Sequence, residues 1–306
     1  MTFEDRVAAT TGEWADSHKP IVVAVDGSER NLSAVDWAAH EAAETGCEMV
    51  LVTAIEDHVV AVPHFSVRNQ DQHTQDMLID VRQQVRHIVS EQDVRNEVVA
   101  GSAVDVLLDS TEQARLLVVG KRGLGTFARV IVGSTSIAVA GRSSIPVAIV
   151  PDAWKQAERA SSPVVLGVDP YKPEEAPIHL AFSRAQRLGV PLVAVHGWET
   201  PAVYSWDAGA IGGTSSQWEQ DAQNEFERVL DPWRGRFPEV DLKAVHRRLH
   251  PATAVLEAAE DAQLVVLGRR HRDSRLGGFA FGSVGRAVLH YSECPVLVVP
   301  AREAGR

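Results

Sequence analysis

The stretches IVVAVDGSERNLSAVDWAAHEAAETGCEMVLVTAIED (residues 21–57) and VVLGVDPYKPEEAPIHLAFSRAQRLGVPLVAVHGWET (residues 164–200) open in the same way. Each is an apolar run, an aspartate, a turn, an amphipathic segment and a second apolar run. The two copies also close alike, with ARLLVVGKRGLGTFARVIVGSTSIAVAGRSSIPVAIVP in one and AQLVVLGRRHRDSRLGGFAFGSVGRAVLHYSECPVLVVP in the other. Matching positions lie 143 residues apart at Asp26 and Asp169, 148 apart at Gly120 and Gly268, and 149 apart at Pro146 and Pro295. So steady an offset over about 130 residues marks a tandem duplication. The chain therefore divides into a polar extension (1–18), a first unit (19–151), a linker (152–162), a second unit (163–300) and a tail (301–306).

Short apolar runs alternate with helical patterns inside each unit. In the first, strands are expected at 21–25, 49–54, 97–100, 116–119 and 147–150. Their Val, Ile and Leu content suits strands buried on both faces, hence a parallel sheet with helices on either side. The helix after the first strand has Asn31 as its expected N-cap, Leu32, Val35, Ala39 and Ala42 on one face and Gly46 as its stop. Longer patterns at 69–92 and 214–234 read as further helices. The fold class is α/β: two tandem doubly wound open sheets, Rossmann-like, of five mostly parallel strands each with helices on both faces. A ligand crevice belongs at the carboxyl ends of the strands.

The composition is that of a packed globular protein, 45% hydrophobic and 23% charged over 306 residues. A formal charge of −11 argues against a broad nucleic-acid or anionic-membrane surface, so an anionic ligand needs a local patch. Cys47 and Cys294 each precede a strand and read as buried free thiols of a cytoplasmic chain. No apolar run reaches signal-peptide or membrane-spanning length. His40-Glu41-Ala42-Ala43-Glu44 stops short of a zinc motif, because Glu stands where the second histidine is needed, and reads as a solvated helix face. P-loop and nucleophile-elbow motifs are absent from the sequence.

Chemistry concentrates at GKRGLGTFARVIVGSTS, residues 120–136. A glycine at a strand end lets backbone approach a ligand, and Gly120, Gly123 and Gly125 give this loop that freedom. The segment returns to Gly133, Ser134, Thr135 and Ser136 at a helix start, where unpaired N–H groups, the dipole and the hydroxyls favour phosphate oxygens. Lys121, Arg122 and Arg129 are expected to add positive charge.

The spacing Gly-x2-Gly-x9-Gly-Ser over Gly120, Gly123, Gly133 and Ser134 resembles the ATP-binding motif of the universal stress protein family. Val25-Asp26-Gly27-Ser28, Gly101 and the Ile-Pro-Val run at 145–147 extend the resemblance over about 20–151, and the copy over 162–300 makes the chain similar to a tandem member. The resemblance implies a glycine loop around the triphosphate, an aspartate of the first strand beside the nucleotide, and main-chain atoms of the second strand against adenine. Carried over, it nominates Ala24, Asp26, Ala54, Ile55, Gly120, Lys121, Arg122, Gly123, Leu124, Gly125, Thr126, Gly133, Ser134 and Thr135. The second-half counterparts are Gly167, Asp169, Gly268, Arg269, Arg270, Gly282, Ser283 and Val284. The implied ligand is ATP with accompanying Mg²⁺, in a regulatory protein acting through conformation and protein partners.

The second half departs from the pattern. Its loop has thirteen residues between Gly268 and Gly282 where the first has twelve between Gly120 and Gly133, and His271 stands at the position of Gly123. Pro170 stiffens the turn where Gly27 follows Asp26. Arg269, Arg270, Arg272 and Arg275 add charge, so nucleotide binding and a purely structural role both stay open for this half. A slow Mg-dependent ATPase is the alternative function, and a dinucleotide-dependent oxidoreductase a weaker one, because the glycines follow the fourth strand instead of the first. The runs ending in Pro151 and Pro300 are sheet edges that need covering. They are expected to pair within the chain as a pseudo-dimer, and the family resemblance adds a possible homodimer.

Overall fold

The computed structural model describes residues 18–55, 67–123, 132–199, 215–269 and 281–301. The first half runs β1 (Ile21–Ala24), α1 (Leu32–Thr45), β2 (Met49–Ile55), α2 (Val67–Val85), β3 (Val94–Ala100), α3 (Ala103–Ser110), β4 (Leu116–Gly120), α4 (Ser134–Arg142) and β5 (Val147–Val150). The second repeats it with β6 (Val164–Gly167), α5 (Glu175–Leu188), β7 (Leu192–Gly197), α6 (Ser215–Arg236), β8 (Leu242–Arg247), α7 (Pro251–Ala259), β9 (Leu264–Arg269), α8 (Ser283–Tyr291) and β10 (Val296–Pro300).

The strands form one ten-stranded sheet in the order β3-β2-β1-β4-β5-β10-β9-β6-β7-β8. Every neighbouring pair is parallel except β5 and β10, which run antiparallel with Val147 opposite Val298 and Ile149 opposite Val296. The edge strands of the two units thus cover one another inside the chain. From β1 the chain steps outward through β2 and β3, then crosses back to β4. Right-handed crossovers therefore put α1 and α2 on one face and α3 and α4 on the other. The switch of direction between β1 and β4, and between β6 and β9, opens a crevice at the strands' carboxyl ends.

Local chemistry explains most element ends. Gly46 closes α1 in the left-handed conformation (φ 66°), its N–H donating to Ala42 O. Gly189 does the same for α5 at φ 63°. The expectation for Asn31 is corrected. Glu29–Asn31 form a 3-10 turn leading straight into α1, and Asn31 has helical angles and no capping bond. Because the turn supplies the helix entry, the Asn31 side chain turns inward and is buried.

The solvated face expected for His40 to Glu44 is also corrected. Glu41 is only 6% exposed, and its carboxylate accepts bonds from Arg184 and, at 2.9 Å, from Arg187 of α5. Glu44 lies 4.0 Å from Arg187. Arg184 also stacks over the buried Trp37 ring, 5.2 Å from its centroid. Glu41 and Arg184 are 143 positions apart, the offset of the duplicated aspartates. They are the same position in the two units, meeting across the pseudo-two-fold. A self-paired first unit would set two glutamates against each other there. Here the second copy carries the opposite charge.

Residues 152–162, read as a polar linker, are packed down. Trp154 is buried, its indole donates to Gln156 at 2.9 Å, and Gln263 donates to the Ala160 and Ser162 carbonyls. Cys47 and Cys294 are buried and are not joined in a disulfide. Among the described residues no helix is long and apolar enough to cross a membrane.

Burial pushes the Glu41 carboxyl up, but the Arg184 and Arg187 guanidiniums outweigh it and hold the pKa at about 2, against 4.5 unperturbed. A depressed carboxylate pKa contributes stability present above about pH 4.5 and lost as pH falls toward 2. Glu41→Ala, which strands two guanidiniums, is expected to cost about 3–5 kcal/mol in urea unfolding at neutral pH. It should also flatten the acid limb of the stability profile over that window.

Candidate functional site

In the first crevice Asp26 follows β1. Its Oδ1 accepts from the Ser28 N–H at 3.0 Å and the Ser28 hydroxyl at 2.8 Å. Gly27 sits between them at φ 79°, a conformation that favours glycine. The tight turn aims the other carboxylate oxygen across the crevice at Gly123, where a Cβ would lie 2.6 Å from Asp26 Oδ2. That approach is why residue 123 has no side chain. The structure thus brings together Asp26 and Gly123, which are far apart in sequence.

The loop is closed at its base by backbone. Lys121 N–H donates to Val150 O and Gly133 N–H to Lys121 O, both at 2.7 Å, while the Ser136 hydroxyl donates to Gly120 O at 2.7 Å. The start of α4 is held against the end of β4. Ser134 is exposed and Thr135 half-buried at that start. Their N–H groups belong to the first turn, which has no intrahelical acceptors. Asn31 lies in the same wall, its amide nitrogen 3.3 Å from where a Gly120 Cβ would sit, and its Oδ1 is buried without a hydrogen-bond partner. Leu124, Gly125, Thr126 and Arg129 lie outside the described residues.

Ala24 ends β1 and pairs with Val52. Ala54 and Ile55 end β2 in register with Val99 and Ala100, and the Ile55 carbonyl accepts from Gly101 N–H at 2.9 Å. These residues stand at the carboxyl ends of β1 and β2.

The positive charges are corrected. Lys121 Nζ donates to His290 O at 3.0 Å and Ser292 O at 2.8 Å, the last carbonyls of α8 in the other half. Arg269, its counterpart, reaches the other way and donates to Ala140 O at 2.9 Å and Ser143 O at 2.7 Å at the end of α4. Burial pushes both pKa values down. Arg122 forks onto Asp152 at 2.7 Å. Cations favour helix C-termini, and the interface offers Lys121 and Arg269 the orphan carbonyls there. Lys121 and Arg269 thus tie the halves together, and Arg122 ties its loop to Asp152.

The second crevice encloses a cavity of about 340 Å³ between β6 and β9. Gly167, Asp169, Gly268, Arg269, Gly282, Ser283 and Val284 all border it. Arg270, His271, Arg272 and Arg275 lie outside the described residues. Asp169 Oδ1 accepts from the Tyr171 N–H at 3.1 Å, repeating the Asp26 turn. Two bordering residues were not singled out by sequence reading. Glu174 precedes α5, where a Cβ on Gly268 would collide with its carboxylate. His196, near the end of β7, is 7% exposed. Aligning the copies at the 143-residue offset would have set Glu174 against Asn31 and His196 against Thr53.

The Universal stress protein family model matches residues 17–151 and again 161–300. A universal stress protein of Mycolicibacterium smegmatis is 32% identical over 294 residues, covering 92% of this chain and 97% of that one. One of Mycobacterium tuberculosis is 32% identical over 293 residues, covering 93% and 96%. Among solved structures, a universal stress protein of Archaeoglobus fulgidus aligns with a TM-score of 0.68 at 16% identity, covering 94% of this chain and 99% of that one, a likeness of fold.

Lys121→Met should lower stability by about 1–2 kcal/mol, by uncapping α8 of the opposite half. Urea unfolding measures the loss.

Proposed function

We propose that this chain, which belongs to the universal stress protein family, binds ATP in its first crevice and acts through conformation and protein partners. The observation that carries this reading is the meeting of Asp26 with Gly123 at the switch point, beside the start of α4. A carboxylate against a side-chain-free loop, next to first-turn N–H groups and two hydroxyls, suits a ribose and phosphate chain. The Ala54 and Ile55 backbone suits the adenine. With Lys121 and Arg122 committed elsewhere, anion stabilisation falls to the main chain and to Ser134 and Thr135.

Mg²⁺ fits as an ion carried by the phosphates. Among the described residues no group of three or more His, Cys, Asp or Glu side chains could hold a metal. Asp26 supplies one hard oxygen, of the kind Mg²⁺ takes alongside phosphate ligands. Asp26 Oδ1 accepts twice from Ser28, which fixes the carboxylate in the crevice wall. The reading is therefore of a binding protein, with the bipartite fold as a single regulatory body in the cytoplasm.

Purified protein is expected to carry ATP or bind it on addition, with the nucleotide recovered intact by mass spectrometry. Gly123→Val, which drives a side chain into the Asp26 carboxylate, should reduce ATP affinity at least tenfold while circular dichroism stays unchanged. Phosphate release at ~1–10³ s⁻¹ with Mg²⁺ would favour the ATPase instead.

A further inference from the structure

Beneath α6 the second half keeps three histidines in a seat of apolar side chains. The buried stripe of α6 is Ala222, Phe226, Leu230 and Trp233, continued by Phe237 just past its end. His179 of α5 lies against Trp233 and Phe237, its ring centroid 6.1 and 5.9 Å from theirs. His196 of β7 and His246 of β8 are register partners stacked 5.3 Å apart, and they meet Phe226 at 5.7 and 6.4 Å. Trp198 stacks on His246 at 6.0 Å and carries the Arg248 guanidinium over its own ring. The first half has no such seat. The positions matching His179, His196 and His246 are Asp36, Thr53 and Val98, with Thr53 pairing Val98 as His196 pairs His246.

A neutral imidazole suits this seat and a charged one does not. His196 Nδ1 donates to the Val168 carbonyl at 3.2 Å, while its Nε2, both His246 nitrogens and His179 Nδ1 are buried without hydrogen-bond partners. Doubly protonated, each ring would hold at least one buried N–H with no acceptor. Arg236 faces His179 from α6, with Glu175 and Ser183 one turn away on its own helix; Asp169 and Tyr171 stand by His196, and Glu219 of α6 by His246. Burial, joined by the Arg236 charge, pushes His179 down to about 4. Burial also holds His196 and His246 below the usual histidine value, although the Val168 carbonyl and Asp169 pull the first up and Glu219 the second. The neutral rings therefore contribute stability that is complete above pH 6.5 and is lost as pH falls toward about 4. The helix is also weak in its own backbone, because Pro232 inside it has no N–H to give the carbonyl one turn back.

We propose that α6 is an acid-released helix: protonation of His179, His196 and His246 loosens it from the second half and exposes its Phe226 to Trp233 stripe, while the first half stays closed. The release begins above the pH window in which Glu41 loses its pairing, and it does not depend on what either crevice binds.

Hydrogen exchange of the full chain, followed by mass spectrometry from about pH 7.5 to about 4.5 and corrected for the intrinsic pH dependence of exchange, tests it. Peptides within α6 are expected to lose about tenfold or more of their protection and to regain it on return to neutral pH, while those of α1 keep theirs. The double variant His179→Leu, His246→Leu should keep α6 protected at the acid end. Arg236→Gln, a change at the exposed surface that removes the charge repelling a protonated His179, should lower the midpoint of release by a few tenths of a pH unit, and it serves as the test if the double variant does not fold. Replacing the exposed His87 of the first half, as His87→Gln, should change nothing. An α6 that stays protected throughout, protection lost equally from both halves, or a midpoint moved by neither Arg236→Gln nor the double variant overturns the proposal.

Discussion

Each five-stranded unit ends on a strand that would otherwise be an open edge, and the structure depends on how that edge is closed. The last strands of the two units pair with each other, so one antiparallel step turns two parallel sheets into ten strands with one shared core. An unpaired apolar edge invites association with other chains. Closing it internally fixes the pseudo-two-fold axis, and everything at the interface follows from that axis. Equivalent positions of the two copies face one another across it. Glu41 meets Arg184 there because duplication put one position on the axis twice and opposite charges now occupy it. The pairing favours the first unit docking on the second over docking on another first unit.

The joint between the halves also involves the residues beside each crevice. Gly120 ends β4 and Gly268 lies in β9 one residue before its end, and in each case the next residue is basic and reaches into the other half. Each crevice therefore has a glycine facing inward and a cation fastened to the far helix one residue on. Adjacent peptide units and two capped helix ends thus join the halves beside the crevices.

Duplication has preserved the strand order, the aspartate turn and the Gly-Ser helix start, while the side chains around the two crevices have diverged. Asn31 has become Glu174, Thr53 corresponds to His196, and Gly27 to Pro170. Backbone geometry is constrained by the fold of each half separately. Side chains facing the crevice are not held by that constraint, and they are free to drift apart once the fold no longer needs identical units.

The fold was legible in the sequence by itself. Period, apolar runs and a constant offset are local or one-dimensional signals, and they set the strands, the doubling, the stop at Gly46 and the crevice at the strand ends. Candidate residues at those ends, such as Asp26, Gly123 and Asp169, could be named because strand ends are where a doubly wound sheet presents its backbone. What only tertiary structure decided was the use of charge. Lys121, Arg122 and Arg269 read as phosphate ligands and Glu41 as solvated surface, because sequence shows that a charge is near a motif but not which way its long side chain runs. The partners of those groups lie 30 to 171 positions away. In each case the nearest carbonyl or opposite charge in space took the side chain, wherever the local motif would have put it.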